Sequence, residues 1–328
     1  MRILIIGAAG MVGRKLAEKL ITEGSLGGRK IDTIHAFDVI EPSYGASDGP
    51  QVVSQAGNVA DPVVVTELIK HKPDVIFHLA AIVSGEAEAE FDKGYAINMD
   101  GTRHLLEAVR HEGEGYCPRL VFTSSIAVFG APFPDRIGDE FLNAPLTSYG
   151  VQKAIGELLL ADCTRKGFVD GVGIRLPTIV VRPGRPNKAA SSFFSGIIRE
   201  PLAGQEAILP VSEEVRHWVA SPAAAVGFLI HAATMDSAML GARRSLTMPG
   251  LSITVGEMIE ALKRVAGEDV AALIRREPDE TITRIVDGWP RNFDARRAEQ
   301  AGFTADADFD SIIRAHIADE EVRRAALG

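Results

Sequence analysis

The first half of the chain alternates short, β-branched apolar runs with segments of helical periodicity. This pattern predicts strands over Arg2–Gly7 and Ile31–Asp38, with a crossover helix over Val12–Glu23. The runs KPDVIFHLAA and PRLVFTSSIAVFG predict two more buried strands, and the helix NMDGTRHLLEAVRHEG lies between them. Strands that alternate with helices in this way indicate a parallel sheet covered by helices on both faces.

The alternation continues through the helix in LTSYGVQKAIGELLLA and the strand in GVGIRLPTIVVRPG, and it weakens beyond Arg182. The segment RPGRPNKAASSFF is basic and loop-like, and the C-terminal region shows mostly helical patterns with short strands. We therefore predict an α/β protein with a Rossmann-type doubly wound parallel sheet over residues 1–181. A smaller C-terminal α/β lobe, over 182–328, would bind the substrate, and its segments could interleave with the first domain.

Composition narrows the class of protein. Hydrophobic residues make up 46% and charged residues 24%, which is typical of a globular chain with a buried core. The net charge of -9 argues against a general nucleic-acid binder, although a local arginine cluster can still bind an anionic substrate. The two cysteines lack metal-ligand spacing, and no apolar run reaches the roughly 20 residues that span a bilayer. We expect a cytoplasmic protein without a metal site that binds neither nucleic acid nor membrane.

Three glycines mark the end of the first strand and the opening of the first helix. Gly7, Gly10 and Gly13 are spaced G-x-x-G-x-x-G, with Met11 and Val12 between the last two. A tight strand-to-helix turn needs residues that tolerate positive φ, and a pyrophosphate needs backbone N–H groups that no side chain covers. The turn therefore predicts a dinucleotide-binding loop.

An acidic residue stands where such a loop requires one. Asp38 follows the second strand, 25 positions after Gly13. Its carboxylate can accept hydrogen bonds from both hydroxyls of an adenosine ribose, and it would repel a 2′-phosphate. No arginine directly follows Asp38, so the sequence favours NAD over NADP.

Five motifs together resemble one enzyme family. The glycine turn, HLAA at 78–81, NMDGT at 98–102, FTSSIAVFG at 122–130 and YGVQK at 149–153 are similar to those of the extended short-chain dehydrogenase/reductases. That family includes the NAD-dependent sugar epimerases and dehydratases. A narrower resemblance, to the D-erythronate dehydrogenase branch, rests on RLPTIVVRPGRPNKAASSFFSGIIREPLAG and EEVRHWVASPAAAVGFLIHAA.

Tyr149 and Lys153 form the candidate catalytic pair. They lie one helical turn apart, about 6 Å along the axis, on the same helix face. An unperturbed tyrosine has a pKa of about 10, too high for a base at neutral pH. A nearby ammonium and a positive nicotinamide ring both favour the phenolate, so we expect Tyr149 to accept the substrate's hydroxyl proton. Lys153 would also donate to the nicotinamide ribose.

The resemblance assigns further residues. It implies that Ser125 is the catalytic hydroxyl and that Ser124 lies nearer the cofactor, although neighbouring serines leave the choice between them open. Asn58 stands where the family usually has aspartate. The other positions that match cofactor-side positions of the family are Val59, Leu79, Ala80, Ala81, Asn98, Pro177 and Thr178.

The substrate residues are expected in the second lobe and beside Ser125. A guanidinium can bind a carboxylate through two parallel hydrogen bonds, which suits a small hydroxy acid, but the same groups could bind a diphosphate. In addition to Ser125 and Tyr149, the candidates are Ser84, Arg182, Arg185, Asn187 and Arg216.

Three enzyme hypotheses follow from the resemblance. The first is NAD-dependent oxidation of a small sugar acid, D-erythronate in the branch that the chain resembles, to 2-dehydro-D-erythronate. The second is a nucleotide-sugar epimerase with tightly bound NAD, and the third is a uronate dehydrogenase. A regulator without turnover would typically lack the tyrosine or the lysine, which this chain retains. Apolar residues on the helices in NMDGTRHLLEAVR and KAIGELLLADC predict a homodimer or a larger homo-oligomer.

Overall fold

A computed structural model describes residues 1–45, 49–184 and 191–327, with side chains described as far as residue 321. The strands are β1 Arg2–Ile6, β2 Ser25–Leu26, β3 Arg29–Lys30, β4 Thr33–Asp38, β5 Gln51–Ala56, β6 Val75–His78, β7 Arg119–Ser125, β8 Ile137–Gly138, β9 Asp170–Leu176, β10 Thr178–Ile179, β11 Ala207–Leu209, β12 Arg216–Ala220, β13 Ser245–Thr247, β14 Leu251–Thr254, β15 Ile274–Arg276 and β16 Phe293–Asp294. The α-helices are α1 Met11–Glu23, α2 Pro62–Lys70, α3 Ser84–Ala89, α4 Phe91–Gly94, α5 Gly101–His111, α6 Ser148–Arg165, α7 Ser192–Leu202, α8 Pro222–Thr234, α9 Val255–Ala266, α10 Glu268–Ala271, α11 Glu280–Asp287, α12 Arg296–Gln300 and α13 Phe309–Leu327.

The central sheet has seven parallel strands in the order β13-β9-β7-β6-β1-β4-β5. Helices α1 and α8 cover one face, and α2, α5 and α6 cover the other. The strands at the centre of the sheet are rich in apolar residues because a parallel sheet is buried on both faces, and all four residues of β6 are buried. This is the Rossmann-type doubly wound fold that the sequence predicted.

The carboxyl ends of β1, β4, β6 and β7 all meet at one edge of the sheet, because parallel strands run in the same direction. The strand order places β1 between β4 and β6, with β7 beyond β6. The chain reverses its winding direction at β1, and the crevice at such a reversal is where α/β sheets bind their ligands. The glycine turn and the segment after β6 therefore lie side by side.

The C-terminal part forms a smaller lobe with its own core. A three-stranded sheet, β10-β12-β14, packs with α7, α9 and α13 around buried side chains such as Phe194 and Leu262. Other segments beyond residue 181 return to the central sheet, because β13 is its edge strand and α8 packs against β7 and β9. The division between the two domains at 181/182 remains a prediction.

Two local differences from the sequence prediction have physical causes. The second predicted strand begins at Thr33 and not at Ile31, because the Ile31 N–H donates to the Gly24 carbonyl at the base of the β2–β3 hairpin. Strand β5, the edge strand beside β4, was not predicted. Its burial is incomplete and it contains few large apolar residues, so its apolar signal is weak.

Among the described helices, none combines the length and apolarity needed to cross a membrane.

Candidate active site

The glycine turn brings β1, α1 and the segment after β6 into close contact. Gly7 has a φ of 98°, and a Cβ there would lie 2.6 Å from the Ala80 nitrogen. A Cβ on Gly13 would lie 2.0 Å from the Gly7 carbonyl oxygen, so only glycine fits. Helix α1 begins at Met11, and no side chain caps it at Gly10. Its first N–H groups can therefore bind a phosphate.

Asp38 lies at the end of β4, directly beside this turn. Its Oδ2 accepts a hydrogen bond from the Ala9 N–H at 2.8 Å, and its Oδ1 accepts from the Val39 N–H at 2.6 Å. Each carboxylate oxygen has a further lone pair for a ribose hydroxyl. The Tyr44 hydroxyl donates to the Ala8 carbonyl at 3.0 Å, which fixes the loop after β4 against the turn. Tyr44 had not been predicted from the sequence.

Asp38→Ala is expected to lower the preference for NAD over NADP by about tenfold or more, because it removes both the ribose acceptor and the charge that repels a 2′-phosphate. The ratio of kcat/KM for the two cofactors measures this preference. Asp61→Ala, which removes the carboxylate that caps α2, is the matched control and should leave the ratio unchanged. An unchanged ratio in Asp38→Ala would remove Asp38 from the cofactor site.

The next two predicted cofactor segments lie along the same edge of the sheet. The N–H groups of Leu79 and Ala80 donate to the Ile6 carbonyl at 2.8 and 2.9 Å, so this segment follows the end of β1. Asn58 is exposed, and its side-chain oxygen accepts from the Ala60 N–H at 2.9 Å. Val59 is 5% exposed and packs against Gly101. This hydrogen bond from the Ala60 N–H to Asn58 stabilises the turn before α2.

Asn98 supports the segment that follows Ala81. It lies in a π-helical turn, Tyr95–Asp100, and is 1% exposed. Its Oδ1 accepts from the Ile82 N–H at 2.9 Å, and its Nδ2 donates to the Ile82 carbonyl at 3.2 Å and to Gln152 Oε1 at 2.8 Å. Because Gln152 precedes Lys153, Asn98 connects the cofactor-side loop to the catalytic helix.

The structure brings Ser125, Tyr149 and Lys153 together. Tyr149 lies in the first turn of α6, where the Ser125 hydroxyl is near enough to lower the pKa of its phenol. The Lys153 Nζ lies 5.7 Å from the centre of the Tyr149 ring and donates to the Thr123 carbonyl at 2.8 Å. Helix α6 can lie close to the segment after Ser125 because Gly150 has no side chain. A Cβ there would lie 2.2 Å from the Ala127 carbonyl oxygen.

Burial shifts the protonation of the pair. It raises the pKa of Tyr149 to about 12, while the Ser125 hydrogen bond lowers it against that trend. Burial also lowers the pKa of Lys153 to about 7, while the Glu157 carboxylate raises it. The sequence predicted a lowered pKa for Tyr149 because of the Lys153 ammonium. That prediction is wrong for the protein without cofactor, because burial of the phenol raises the pKa. The tyrosine remains partly exposed as a residue, whereas its hydroxyl lies among buried groups.

The segment after β9 contains the last two predicted cofactor residues. Pro177 is buried, and the Thr178 hydroxyl is 2.6 Å from Nε2 of His217. His217 is 2% exposed and stacks on Phe194 at 5.0 Å between ring centres, and its burial lowers its pKa to about 4. Although Arg216 beside it was a candidate substrate residue, this histidine was not predicted from the sequence. Its place beside Thr178 depends on the pairing of β10 with β12.

The predicted substrate residues fall in several places. Arg182 is half-buried, and Arg185 and Asn187 lie outside the described residues. Arg216 donates to the Ser252 carbonyl at 2.7 Å and pairs with Glu257 at 3.3 Å, so its guanidinium is engaged within the C-terminal lobe. Ser84 is exposed at the first position of α3.

The cofactor edge fits a dinucleotide. The uncapped N-terminus of α1 faces a turn in which a side chain at Gly7 or Gly13 would clash, and Asp38 lies beside that turn. Within the part of the chain that the structure describes, no group of three or more His, Cys, Asp or Glu residues could hold a metal ion. The residues at this edge can hold a dinucleotide beside Ser125, Tyr149 and Lys153.

Comparisons with known proteins agree with this geometry. A D-erythronate dehydrogenase from Cupriavidus necator is 47% identical over 97% of this chain and 98% of its own length. A D-erythronate dehydrogenase from Haemophilus influenzae is 43% identical over 97% and 99%. The crystal structure of a nucleoside-diphosphate-sugar epimerase from Agrobacterium tumefaciens superposes with a TM-score of 0.95 at 60% identity, covering 98% of this chain and 94% of that one. The profile of the NAD dependent epimerase/dehydratase family matches residues 3–238. The chain belongs to the NAD dependent epimerase/dehydratase family, and its cofactor is NAD.

Proposed function

We propose that the protein oxidises D-erythronate at the C2 hydroxyl to 2-dehydro-D-erythronate, with NAD as hydride acceptor. The observation that carries the chemistry is that Ser125, Tyr149 and Lys153 meet at one buried site, with the Lys153 Nζ 5.7 Å from the centre of the Tyr149 ring. The substrate is inferred from the two relatives named D-erythronate dehydrogenase, which align over nearly the whole chain.

NAD bound at the glycine turn would supply the hydride acceptor and a positively charged nicotinamide ring. The Ser125 hydroxyl orients the substrate oxygen, and the Tyr149 phenolate accepts the proton of the C2 hydroxyl. The Lys153 ammonium stabilises that phenolate, because a positive charge favours the ionised form of a neighbouring acid. The C2 carbon loses its hydrogen as hydride and becomes a ketone, so the products are a 2-oxo acid, NADH and a proton.

Arg182 is the described arginine that best fits the substrate carboxylate. Its Nε lies 3.4 Å from the Ser195 hydroxyl, and among the described residues it has no carboxylate partner. Burial and the neighbouring Arg199 lower its pKa, which indicates that an anion beside Arg182 would be favourable. The preceding residue, Val181, has a φ of 55°, a strained conformation for a β-branched residue that holds Arg182 in a fixed direction.

Arg182→Met is expected to raise KM for D-erythronate about 10- to 100-fold, because a charge-assisted hydrogen bond to a carboxylate is lost. KM for NAD should change little. Initial-rate kinetics with each substrate varied in turn measure both constants. Arg276→Met, which removes an exposed arginine paired with Glu213, is the control and should leave both constants unchanged. An unaltered KM for D-erythronate would assign the carboxylate to another group.

A nucleotide-sugar epimerase is the second candidate, because the structure with a TM-score of 0.95 bears that name. The two functions differ in whether NADH leaves the protein. We expect D-erythronate to give steady NADH absorbance, with smaller rates for other four- to six-carbon aldonic and uronic acids. Release of no NADH from any of these acids, together with NAD that co-purifies with the protein, would favour the epimerase.

The same proposal includes a cytoplasmic homodimer. Leu158 on α6 is 71% exposed, and it lies between the partly exposed Ile155 and the exposed Asp162 along the outer face of that helix. Pairing of α5 and α6 with the same helices of a second copy would cover this residue. Cys117 and Cys163 are free thiols, which suits a reducing compartment.

A further inference from the structure

A second charged group lies behind the catalytic pair, on the same buried face of α6. Glu157 follows Lys153 by one helical turn and is 5% exposed. Arg175 on β9 is 7% exposed and donates from Nε to Glu157 Oε1 at 2.9 Å and from Nη2 to Oε2 at 2.8 Å. This is the two-pronged geometry that holds a carboxylate most rigidly. The sequence analysis did not single out either residue.

Neighbouring segments complete the hydrogen bonding of this carboxylate. Ser124 Oγ donates to Glu157 Oε1 at 2.5 Å, and Asn143 Nδ2 donates to Oε2 at 3.1 Å. Each oxygen thus accepts two hydrogen bonds, and the carboxylate cannot turn toward another partner. Arg175 Nη1 also donates to Asp139 Oδ1 at 3.3 Å. We call Glu157, Arg175 and Asp139, with the Ser124 hydroxyl, the Glu157 cluster.

The negative charge that acts on Lys153 is that of Glu157. Asp139 lies beside Arg175 and is also attracted by Arg297, so its charge is compensated within the cluster and by that arginine. Lys153 is 2% exposed, and its ammonium places a positive charge one helical turn from Glu157. Buried charge is costly unless it is compensated, so the cluster favours a protonated Lys153. The pKa values agree in direction, since burial lowers that of Lys153 and Glu157 raises it.

The other titratable groups near Lys153 come from β6, from β9 and from α6 itself. His78 on β6 is 1% exposed, and burial and then the charge of Lys153 lower its pKa to about 3. It is therefore neutral at working pH. Arg175 remains charged, because hydrogen bonds and charges from Glu157 and Asp139 outweigh the cost of its burial. Among the described groups around the pair, the proton that can move near neutral pH is the one that Tyr149 and Lys153 share.

We propose that Glu157 is a positioning residue that shifts this shared proton toward Lys153 and so raises the fraction of Tyr149 that is phenolate. When the pair has lost one proton, the other resides either on Lys153 Nζ or on Tyr149 Oη. Only the first arrangement gives a base for the substrate hydroxyl. The Glu157 carboxylate lies one turn from Lys153 and two turns from Tyr149, so its charge favours the first arrangement. The inference rests on the proposed role of Tyr149 as base.

Glu157→Gln is the direct test, because it removes the charge and keeps the size of the side chain. Loss of a neighbouring negative charge should lower the pKa of Lys153 by about one unit or more. The shared proton then resides more often on Tyr149, and kcat should fall about tenfold for one pKa unit. Both limbs of the pH–rate profile should move to lower pH, since removing negative charge makes every proton loss from the pair easier.

The pKa of Lys153 can be measured without turnover, by NMR titration of isotope-labelled lysine side chains in the cofactor-free protein, with Lys153→Met to assign the signal. Asp170→Asn is the matched control. Its carboxylate also binds arginines, Arg119 at 2.8 Å and Arg244 at 2.6 Å, but at the opposite end of β9. That variant should leave the pKa of Lys153 unchanged.

Glu157→Gln removes the carboxylate that neutralises the buried Arg175, which is expected to destabilise the fold. A second variant therefore removes the arginine as well. Glu157→Gln with Arg175→Gln removes both charges of the pair and should still lower the pKa of Lys153. An unchanged pKa of Lys153 in either folded variant overturns the inference. If Tyr149→Phe is inactive while Glu157→Gln leaves the pKa unmoved, only this inference fails. If Tyr149→Phe is fully active, the proposed catalytic role of Tyr149 fails first.

Discussion

Tyr149→Phe is expected to lower kcat about a thousandfold and to leave the affinity for NAD nearly unchanged. In the proposed mechanism the substitution removes the oxygen that accepts the substrate proton, and loss of a positioned general base typically costs between a hundredfold and ten-thousandfold in rate. The ring itself remains, so the packing of α6 on the segment after Ser125 is retained. Initial rates of NADH formation measure kcat, and quenching of protein fluorescence measures NAD binding.

Tyr116→Phe is the control for that experiment. Its hydroxyl donates to the Pro73 carbonyl at 2.9 Å, at the opposite edge of the central sheet from Tyr149. It should lose a little stability and retain its turnover. Turnover in Tyr149→Phe equal to that of the unaltered protein would contradict the catalytic assignment, whatever the substrate proves to be.

Gly13→Ala is expected to weaken NAD binding more than tenfold and to lower the free energy of unfolding by about 2 kcal/mol or more. The added methyl group would lie 2.0 Å from the Gly7 carbonyl oxygen, which belongs to the backbone and cannot rotate away. Either α1 moves outward or the turn opens, and in both cases the N–H groups that face the pyrophosphate lose their arrangement. Fluorescence titration with NAD and urea unfolding measure the two effects.

Gly227→Ala offers a matched comparison in α8. A Cβ at that position meets no atom within 4 Å, so the change should leave NAD binding intact and stabilise the helix slightly. Should Gly13→Ala bind NAD as tightly as the unaltered protein, the close approach of α1 to β1 would not be needed for the cofactor.

The parts of the fold that could be predicted are those that depend on local pattern. The run of buried residues in β6, the Asp61 cap of α2 and the glycine turn each have a signature within about ten neighbouring positions. The family, the Rossmann-type fold and NAD as cofactor are confirmed. Ser125, Tyr149 and Lys153 are brought together as expected, although their catalytic roles remain predictions.

What could not be predicted depends on contacts between distant segments. Glu157 on α6 meets Arg175 on β9 because β7 and β9 are paired and α6 packs across them. His217 approaches Thr178 only through the pairing of β10 with β12. The raised pKa of Tyr149 has the same origin, since burial is a property of the assembled fold. The spacing of Tyr149 and Lys153 along one helix suggests a lowered pKa for Tyr149. That spacing contains no information on how far the site is shielded from water, and it is this burial that raises the pKa.

The most direct test of oxidation at C2 follows the hydrogen that leaves the C2 carbon of the substrate. D-erythronate that carries deuterium at C2 should transfer it to the nicotinamide, so that mass spectrometry finds the label in the NADH released to solution. A slower rate with the labelled acid would show that this transfer limits turnover. NADH without label, or label that returns to a sugar while no NADH is released, would contradict oxidation at C2.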